Sequence, residues 1–327
     1  MILRAWAEFL PPGELIKSEV VYLLQHYGVN PCIAVSRGNL GKDYAKLMRK
    51  YRDAGLEPAL WPTMSDEQGY WPNERNCEEF ASYVKEIFKW ADKEGVKIPW
   101  LAVDLEPPYY QHTEISSAEG LQKAGKMWQI FNSNRNRERF NRAVETYRDL
   151  QDYIMMQGCQ TIVPAIPLLE IDIMKGSVKL QDYLETPLSP VNWDVISFMQ
   201  YNTLITGMSR EFISLGDARW YLYLLCLNIK AVLGKRAAVS VGLTSTGKLG
   251  NEPYYQYPEE MLPDIEAALE AGVQDIAIFS LEGILNASNP EKWLEVVSGA
   301  YPRMPLRSRK VEVIRRAAAA MYRLLPG

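Results

Sequence analysis

The feature that most constrains the fold of this chain is a repeated junction, in which a helical pattern ends at a glycine and a short apolar run follows. Six apolar runs share it, at residues 32–35, 58–61, 100–103, 161–166, 237–241 and 276–279, after Gly28, Gly55, Gly95, Gly158, Gly234 and Gly272. Glycine suits the left-handed residue that ends many helices. Continuous apolar runs of this length are typical of parallel strands that are covered on both faces.

Two further strands, at residues 2–9 and 193–201, complete a set of eight that alternate with helical patterns. Such alternation predicts an α/β fold with right-handed crossovers, and eight repeats predict a parallel eight-stranded (β/α)8 TIM barrel. The 327 residues fit one barrel of about 250 residues with its loops. A doubly wound open sheet is the alternative, but it would place a glycine-rich turn after the first strand, where residues 8–13 offer none.

Two segments fall outside the simple repeat. Residues 118–156 are too long for one barrel helix, and we expect an extended or broken helix there. We assign residues 1–305 to the barrel and residues 306–327 to a C-terminal amphipathic helix packed on it. Val311, Ile314, Ala318, Met321 and Leu325 lie on one side of that helix, and contact with a membrane surface is the alternative role for it.

Composition excludes several classes of function. The net charge of −4 is not typical of a protein that binds nucleic acid. No apolar run reaches the length of a membrane span. With 2 histidines and no C-x-x-C among 4 cysteines, we expect no metal site and no cofactor. No signal peptide is visible, so we expect a cytoplasmic protein, or a secreted one if a signal has been removed. The oligomeric state stays open.

The strand ends should carry the chemistry, because barrel active sites lie at the carboxyl ends of the strands. The candidate positions at these ends are Glu8, Arg37, Trp61, Asp104 with Glu106, Glu170 with Asp172, Tyr201 with Asn202, Thr244 and Glu282. The fourth strand is the most informative, since an apolar run there ends in Asp104 and Glu106. Residues two apart on a strand point to the same face, so both acids should share the barrel mouth.

Two close carboxylates cannot both ionise freely, so the pKa of one should be raised. A glutamic acid that stays protonated near neutral pH can donate a proton to a leaving glycosidic oxygen. The structural alternative is that these acids form an ion pair with a nearby arginine or lysine, or cap a helix.

The fourth- and sixth-strand motifs together resemble glycoside hydrolase family 18, which includes chitinases and endo-β-N-acetylglucosaminidases. Residues 103–106 read V-D-L-E, where the family has D-x-x-D-x-D-x-E, and residues 198–202 read F-M-Q-Y-N, where it has M-x-Y-D. The resemblance implies that Glu106 donates the proton, while Asp104 and Tyr201 hold the substrate acetamide, whose oxygen attacks the sugar. This substrate-assisted route is an exception to the two-carboxylate scheme.

The sequence also departs from that family. Pro99 and Ala102 replace its other two aspartates, Asn202 replaces the aspartate after the tyrosine, the eighth strand has no tryptophan at its end, and the third-strand S-x-G-G is absent. The short D-x-E motif is equally similar to barrels such as the family 25 lysozymes.

These observations lead to one function with alternatives. We expect a chitinase-like glycoside hydrolase of N-acetylhexosamine-containing glycans, with an oligo- or polysaccharide substrate. Residues assigned to substrate binding are Glu282, Asn202, Gln200, Trp61, Glu8, Trp6 and Arg37. The alternatives are a non-catalytic carbohydrate-binding barrel, a two-carboxylate glycosidase using Glu106 and Glu282, and a lyase or isomerase that binds phosphate in the loop at residues 242–250. Aromatic residues in the loops are candidate sugar subsites: Tyr70, Trp71, Tyr109, Tyr110, Tyr254, Tyr255 and Tyr257.

Overall fold

A computed structural model describes residues 1–116, 120–248 and 250–325, and it contains a closed barrel of eight parallel strands in sequence order. The predicted (β/α)8 fold is confirmed, and the open doubly wound sheet is excluded. The strands are β1 (Ile2–Ala7), β2 (Val29–Ser36), β3 (Ala59–Thr63), β4 (Trp100–Ala102), β5 (Gln160–Ala165), β6 (Val195–Met199), β7 (Ala237–Gly242) and β8 (Asp275–Phe279).

Helices surround this barrel. Those of the described residues are α1 (Pro12–Leu15), α2 (Ser18–Tyr27), α3 (Lys42–Asp53), α4 (Cys77–Glu94), α5 (Tyr109–Ser116), α6 (Gly120–Asn134), α7 (Arg137–Met156), α8 (Glu170–Lys175), α9 (Lys179–Tyr183), α10 (Asn202–Met208), α11 (Leu215–Leu233), α12 (Pro258–Glu270), α13 (Leu281–Asn286), α14 (Pro290–Ser298) and α15 (Arg309–Leu324). None of the described helices is long and apolar enough to cross a membrane.

The helix-glycine-strand junctions follow the predicted chemistry. Gly28 ends α2 with φ 65° and Gly95 ends α4 with φ 63°, and both adopt the left-handed conformation that glycine tolerates best. The long segment is broken as expected, because α7 begins after Asn136, whose side chain accepts a hydrogen bond from the backbone N–H of Arg139. Residues 118 and 119 of that segment lie outside the described residues.

Strand alternation divides the core into two layers. Trp6, Trp61 and Trp100 point into the barrel together with small residues such as Ala102, while the alternate positions pack against the helices. At the amino end of the strands, the Arg4 guanidinium forms two 2.9 Å hydrogen bonds with the Asp275 carboxylate and lies 4.1 Å from the Trp100 ring centroid. This end of the interior is therefore filled, and the carboxyl end is left for a site.

The C-terminal helix α15 is attached through two carboxylates. Arg315 donates hydrogen bonds of 3.0 and 2.7 Å to Glu170, and the hydroxyl of Tyr322 donates one of 2.7 Å to Asp172. Glu170 and Asp172 were expected at the end of the fifth strand, but β5 ends at Ala165 and both acids are buried in α8. Their position is a correction: they anchor a helix and do not face the barrel mouth.

Candidate active site

Two carboxyl groups continue the inward row of β4. Trp100 and Ala102 point into the barrel, so Asp104 and Glu106 extend the same face beyond the end of the strand. Asp104 is only 3% exposed and Glu106 is partly buried. No ion pair with lysine or arginine is found for either acid within the described part of the chain. The predicted pair is therefore a pair of unneutralised acids.

Burial dominates the electrostatics of this pair. It raises the pKa of Asp104 well above its ordinary value, the neighbouring Glu106 and Glu8 raise it further, and the Trp61 side chain offsets part of the rise. The pKa of Glu106 rises to about 8, mainly through burial and secondly through Glu8. Since one proton shared by close carboxyls relieves their repulsion, a protonated acid is present near neutral pH. Asp104 Oδ1 is buried and has no hydrogen-bond partner among the described residues.

Tyr201 lies two residues after the end of β6, near enough to the same acids for their charges to act on it. Val195 points inward, and Tyr201 has the same parity two residues beyond the end of that strand. Burial raises the pKa of its hydroxyl well above 10, and the negative charges of Asp104 and Glu106 add to the rise. Its ring lies 5.7 Å from that of Phe279 on β8. A neutral phenol is therefore available as a hydrogen-bond donor beside the two acids.

Glu8, the residue after β1, and Glu282, at the start of α13, add two more carboxyl groups. The hydroxyl of Tyr70 donates a 2.8 Å hydrogen bond to Glu8 Oε1. Burial raises the pKa of Glu8 to about 7, the bond from Tyr70 lowers it, and Glu282 raises it again. Glu282 Oε1 accepts a 2.7 Å hydrogen bond from the backbone N–H of Phe9, while its Oε2 is buried with no partner among the described residues.

Two tryptophans, Trp6 on β1 and Trp61 on β3, point into the barrel below the carboxyl groups, on the side nearer the amino ends of the strands. Trp6 and Trp61 meet edge to face, with ring centroids 5.2 Å apart. Trp6 Nε1 donates a 3.1 Å hydrogen bond to Ser240, whereas Trp61 Nε1 is buried and forms no well-aligned hydrogen bond in the described part of the chain, although it is close enough to Asp104 to lower the pKa of that carboxyl. Both are almost completely buried, so they form the floor of the mouth and not an exposed stacking surface.

Three residues assigned to substrate binding lie elsewhere. Arg37 is exposed and pairs with Glu86 on α4, with Arg37 Nε 3.1 Å from Glu86 Oε2. Gln200 has the parity of the outer face of β6, and its Nε2 donates a 3.0 Å hydrogen bond to Asn202 Oδ1. Both amides are completely buried, and Asn202 lowers the pKa of Asp264 on α12, which places it on the helix side of the barrel.

A lysine that the sequence analysis placed only in the candidate phosphate loop covers the rim. Lys248, in the loop after β7, lies 2.8 Å from Asp66 Oδ1, and its ammonium is 4.3 Å from the ring centroid of Tyr70 and 5.1 Å from that of Tyr109. The predicted subsite residues Tyr70, Trp71 and Tyr109 thus form one aromatic cluster. Asp66 carried no signal in the sequence, because its partner is far away in the chain.

In the loop predicted to bind phosphate, two hydroxyl groups form hydrogen bonds within the protein. The Thr244 hydroxyl donates a 2.6 Å hydrogen bond to the Ser280 carbonyl, and the Ser245 and Ser280 hydroxyls are 2.7 Å apart. Leu249 of that loop lies outside the described residues. Tyr255 is buried against Asp264, so it is not a subsite residue. Within the described residues, no three His, Cys, Asp or Glu side chains gather to hold a metal ion.

Comparison with known proteins supports the fold more than any activity. No family model matches the chain, and no curated protein matches it. The chain is similar in structure to the glycoside hydrolase domain of PgaB (BpsB) from Bordetella bronchiseptica, with a TM-score of 0.54, 9% identity, and coverage of 94% of this chain and 100% of that one. It is also similar to a β-glucosidase from Thermotoga maritima, with a TM-score of 0.49, 12% identity, and coverage of 80% and 76%. At these identities the likeness concerns the barrel fold, and the family 18 resemblance rests on its two strand motifs.

Proposed function

We propose that this chain is a glycoside hydrolase that acts on N-acetylhexosamine-containing glycans. The observation that carries the proposal is the pair of unneutralised acids, Asp104 and Glu106, held beside Tyr201 at the barrel mouth. Burying carboxyl groups without a cation is costly, which supports a functional role for this pair over a stabilising one.

Each of the three residues has a role in the proposed reaction. Glu106, whose pKa of about 8 keeps it protonated at neutral pH, transfers its proton to the leaving glycosidic oxygen. The acetamide oxygen of the substrate attacks the anomeric carbon as that bond breaks, and Asp104 and Tyr201 hold the acetamide in place. Glu106, now ionised, then accepts a proton from the water that opens the cyclic intermediate, which restores the starting state.

Two further observations support a sugar substrate. The Bordetella domain that shares the fold is a glycoside hydrolase, although its 9% identity transfers no residue role. At the rim, Tyr109 of the aromatic cluster is only partly buried and presents a ring on which a sugar can stack by its C–H face, whereas Tyr70 and Trp71 are buried within the cluster.

Turnover of a panel of 4-methylumbelliferyl glycosides, with and without the 2-acetamido group, tests the proposal. We expect hydrolysis of the N-acetylhexosaminides and a loss of about a hundredfold or more in kcat for Glu106→Gln, with binding retained. Glu78→Gln, an exposed change on α4, is the matched control and should leave the rate unchanged. A Glu106→Gln variant with the parent rate would contradict the proposal, and binding without turnover by the parent would favour a carbohydrate-binding barrel.

A two-carboxylate mechanism is the second candidate, because Glu282 Oε2 is buried with no partner in the described part of the chain. In this scheme Glu106 is the acid and Glu282 is the base or nucleophile. Hydrolysis of glycosides that lack an acetamide, together with loss of turnover in Glu282→Gln, would favour it over the substrate-assisted route.

A further inference from the structure

The C-terminal helix α15 has a second apolar side that nothing in the described structure covers. Its inner side is fixed to the barrel, where Val311 and Tyr322 are buried and Arg315 pairs with Glu170. The outer side nevertheless exposes large apolar residues: Val313 is 62% exposed, Ile314 40%, Met321 69% and Leu324 84%.

Helical periodicity arranges this outer side into two parallel rows. Val313, Ala317, Ala320 and Leu324 follow one another at intervals of three or four residues and form an apolar row, with Ile314 and Met321 along its edge. Arg309, Arg316 and Arg323 recur every seven residues and form an arginine row beside it. Phe212, 63% exposed and 5.1 Å from the Lys310 ammonium, extends the apolar surface beyond the helix.

The arginine row carries a local positive charge that the described residues do not neutralise. None of its three members has a carboxylate within ion-pair distance in the described part of the chain. Glu312 is near enough to Arg316 and Arg309 to interact with their charges, but its carboxylate is bound to Arg307 through two hydrogen bonds, of 2.6 and 3.0 Å. The whole chain has a net charge of −4, so a cationic row on one helix would orient the molecule on an anionic surface.

We propose that the outer side of α15 docks on an anionic lipid surface, with its apolar row in the interfacial region and its arginine row on the headgroups. Interfacial helices of this kind combine an exposed apolar face with basic flanks, and their binding needs only one helix face. A stable dimer usually buries about 20–30 residues on each partner, far more than this convex stripe provides. A second copy would also bring an identical arginine row and no acidic one.

Co-sedimentation of the full chain with vesicles tests this proposal. We expect binding to vesicles of phosphatidylcholine with phosphatidylglycerol, weak binding to phosphatidylcholine alone, and loss of binding at high salt. The triple variant R309Q/R316Q/R323Q should weaken partitioning by about a hundredfold, because each juxtamembrane cation contributes about 1 kcal/mol. The variant M321S/L324S should also weaken it, through the apolar row.

The control K89Q/K93Q/K97Q removes the same charge from exposed lysines elsewhere and should leave vesicle binding unchanged. Circular dichroism of each variant verifies that the fold is intact. No binding to the anionic vesicles, or equal binding by the arginine variant and the parent, would overturn the proposal. A dimer in analytical ultracentrifugation that M321S/L324S dissociates, without vesicle binding, would assign the surface to a second copy instead.

Discussion

At the scale of single residues, strand parity decides which side chains meet at the barrel mouth. It predicts that Asp104 and Glu106 share the inward face, because two inward residues, Trp100 and Ala102, precede them. The same rule, applied to β6, would have separated Tyr201 from Gln200 and Asn202, since neighbours on a strand point to opposite faces. Matching residues 198–202 to the family motif does not show to which face each side chain points. Gln200 and Asn202 were therefore assigned to the site together with Tyr201.

The pH dependence of kcat/KM tests the coupling between Glu8 and Glu106. Glu106 must be protonated to act as the acid, so kcat/KM should fall as the pH rises through about 8. The negative charge of Glu8 raises the pKa of Glu106, and Glu8→Gln removes it, which should move this basic limb about one unit lower. Glu78→Gln should leave the limb in place, and an unchanged or higher limb in Glu8→Gln would show that the two acids are not coupled.

At the scale of elements, the sequence predicted the boundaries of helices and strands that depend on neighbouring residues. Glycines at helix ends and the break before α7 follow from the conformations that Gly28, Gly95 and Asn136 adopt. The start of α8 was missed, because the apolar run of β5 continues into a 3-10 turn at Pro167–Leu169 and hides the end of the strand. Contacts between distant loops, such as Lys248 with Asp66, leave no local pattern to read.

The attachment of α15 gives a prediction at this scale. Arg315→Ala leaves Glu170, 3% exposed, as a buried carboxylate without its cation, and should lower the free energy of unfolding by about 3 kcal/mol. Arg316→Ala, the next residue on the exposed side, should change it by less than about 0.5 kcal/mol. Chemical denaturation of both variants makes the comparison, and equal values would show that the pair with Glu170 does not hold the helix.

At the scale of the whole molecule, the barrel closes because the first strand pairs with the last. The register of that pairing could not be predicted from the sequence. Periodicity predicted eight strands, but the partner of Arg4 is Asp275, 271 residues away, and nothing near either residue indicates it. The pair lies in the barrel interior, with side-chain exposures of 2% and 6%, and bridges β1 and β8.

Closure by this pair can be tested by removing one charge and then both. Asp275→Asn leaves the Arg4 guanidinium buried without its counter-ion and should lower the free energy of unfolding by about 3–5 kcal/mol. The double variant Arg4→Met with Asp275→Leu replaces the pair by apolar side chains and should recover most of that loss. Denaturant titration measures both, and a loss below about 1 kcal/mol for Asp275→Asn would mean that the pair contributes little to closure.

The central claim, that Asp104, Glu106 and Tyr201 form one catalytic site for N-acetylhexosaminides, is tested most directly by a crystal structure of Glu106→Gln with a bound N-acetylglucosamine oligosaccharide. We predict a glycosidic oxygen within about 3 Å of the side chain at position 106, and an acetamide between Asp104 and Tyr201. An oligosaccharide bound away from these three residues, or an acetamide turned away from Asp104, would contradict the claim.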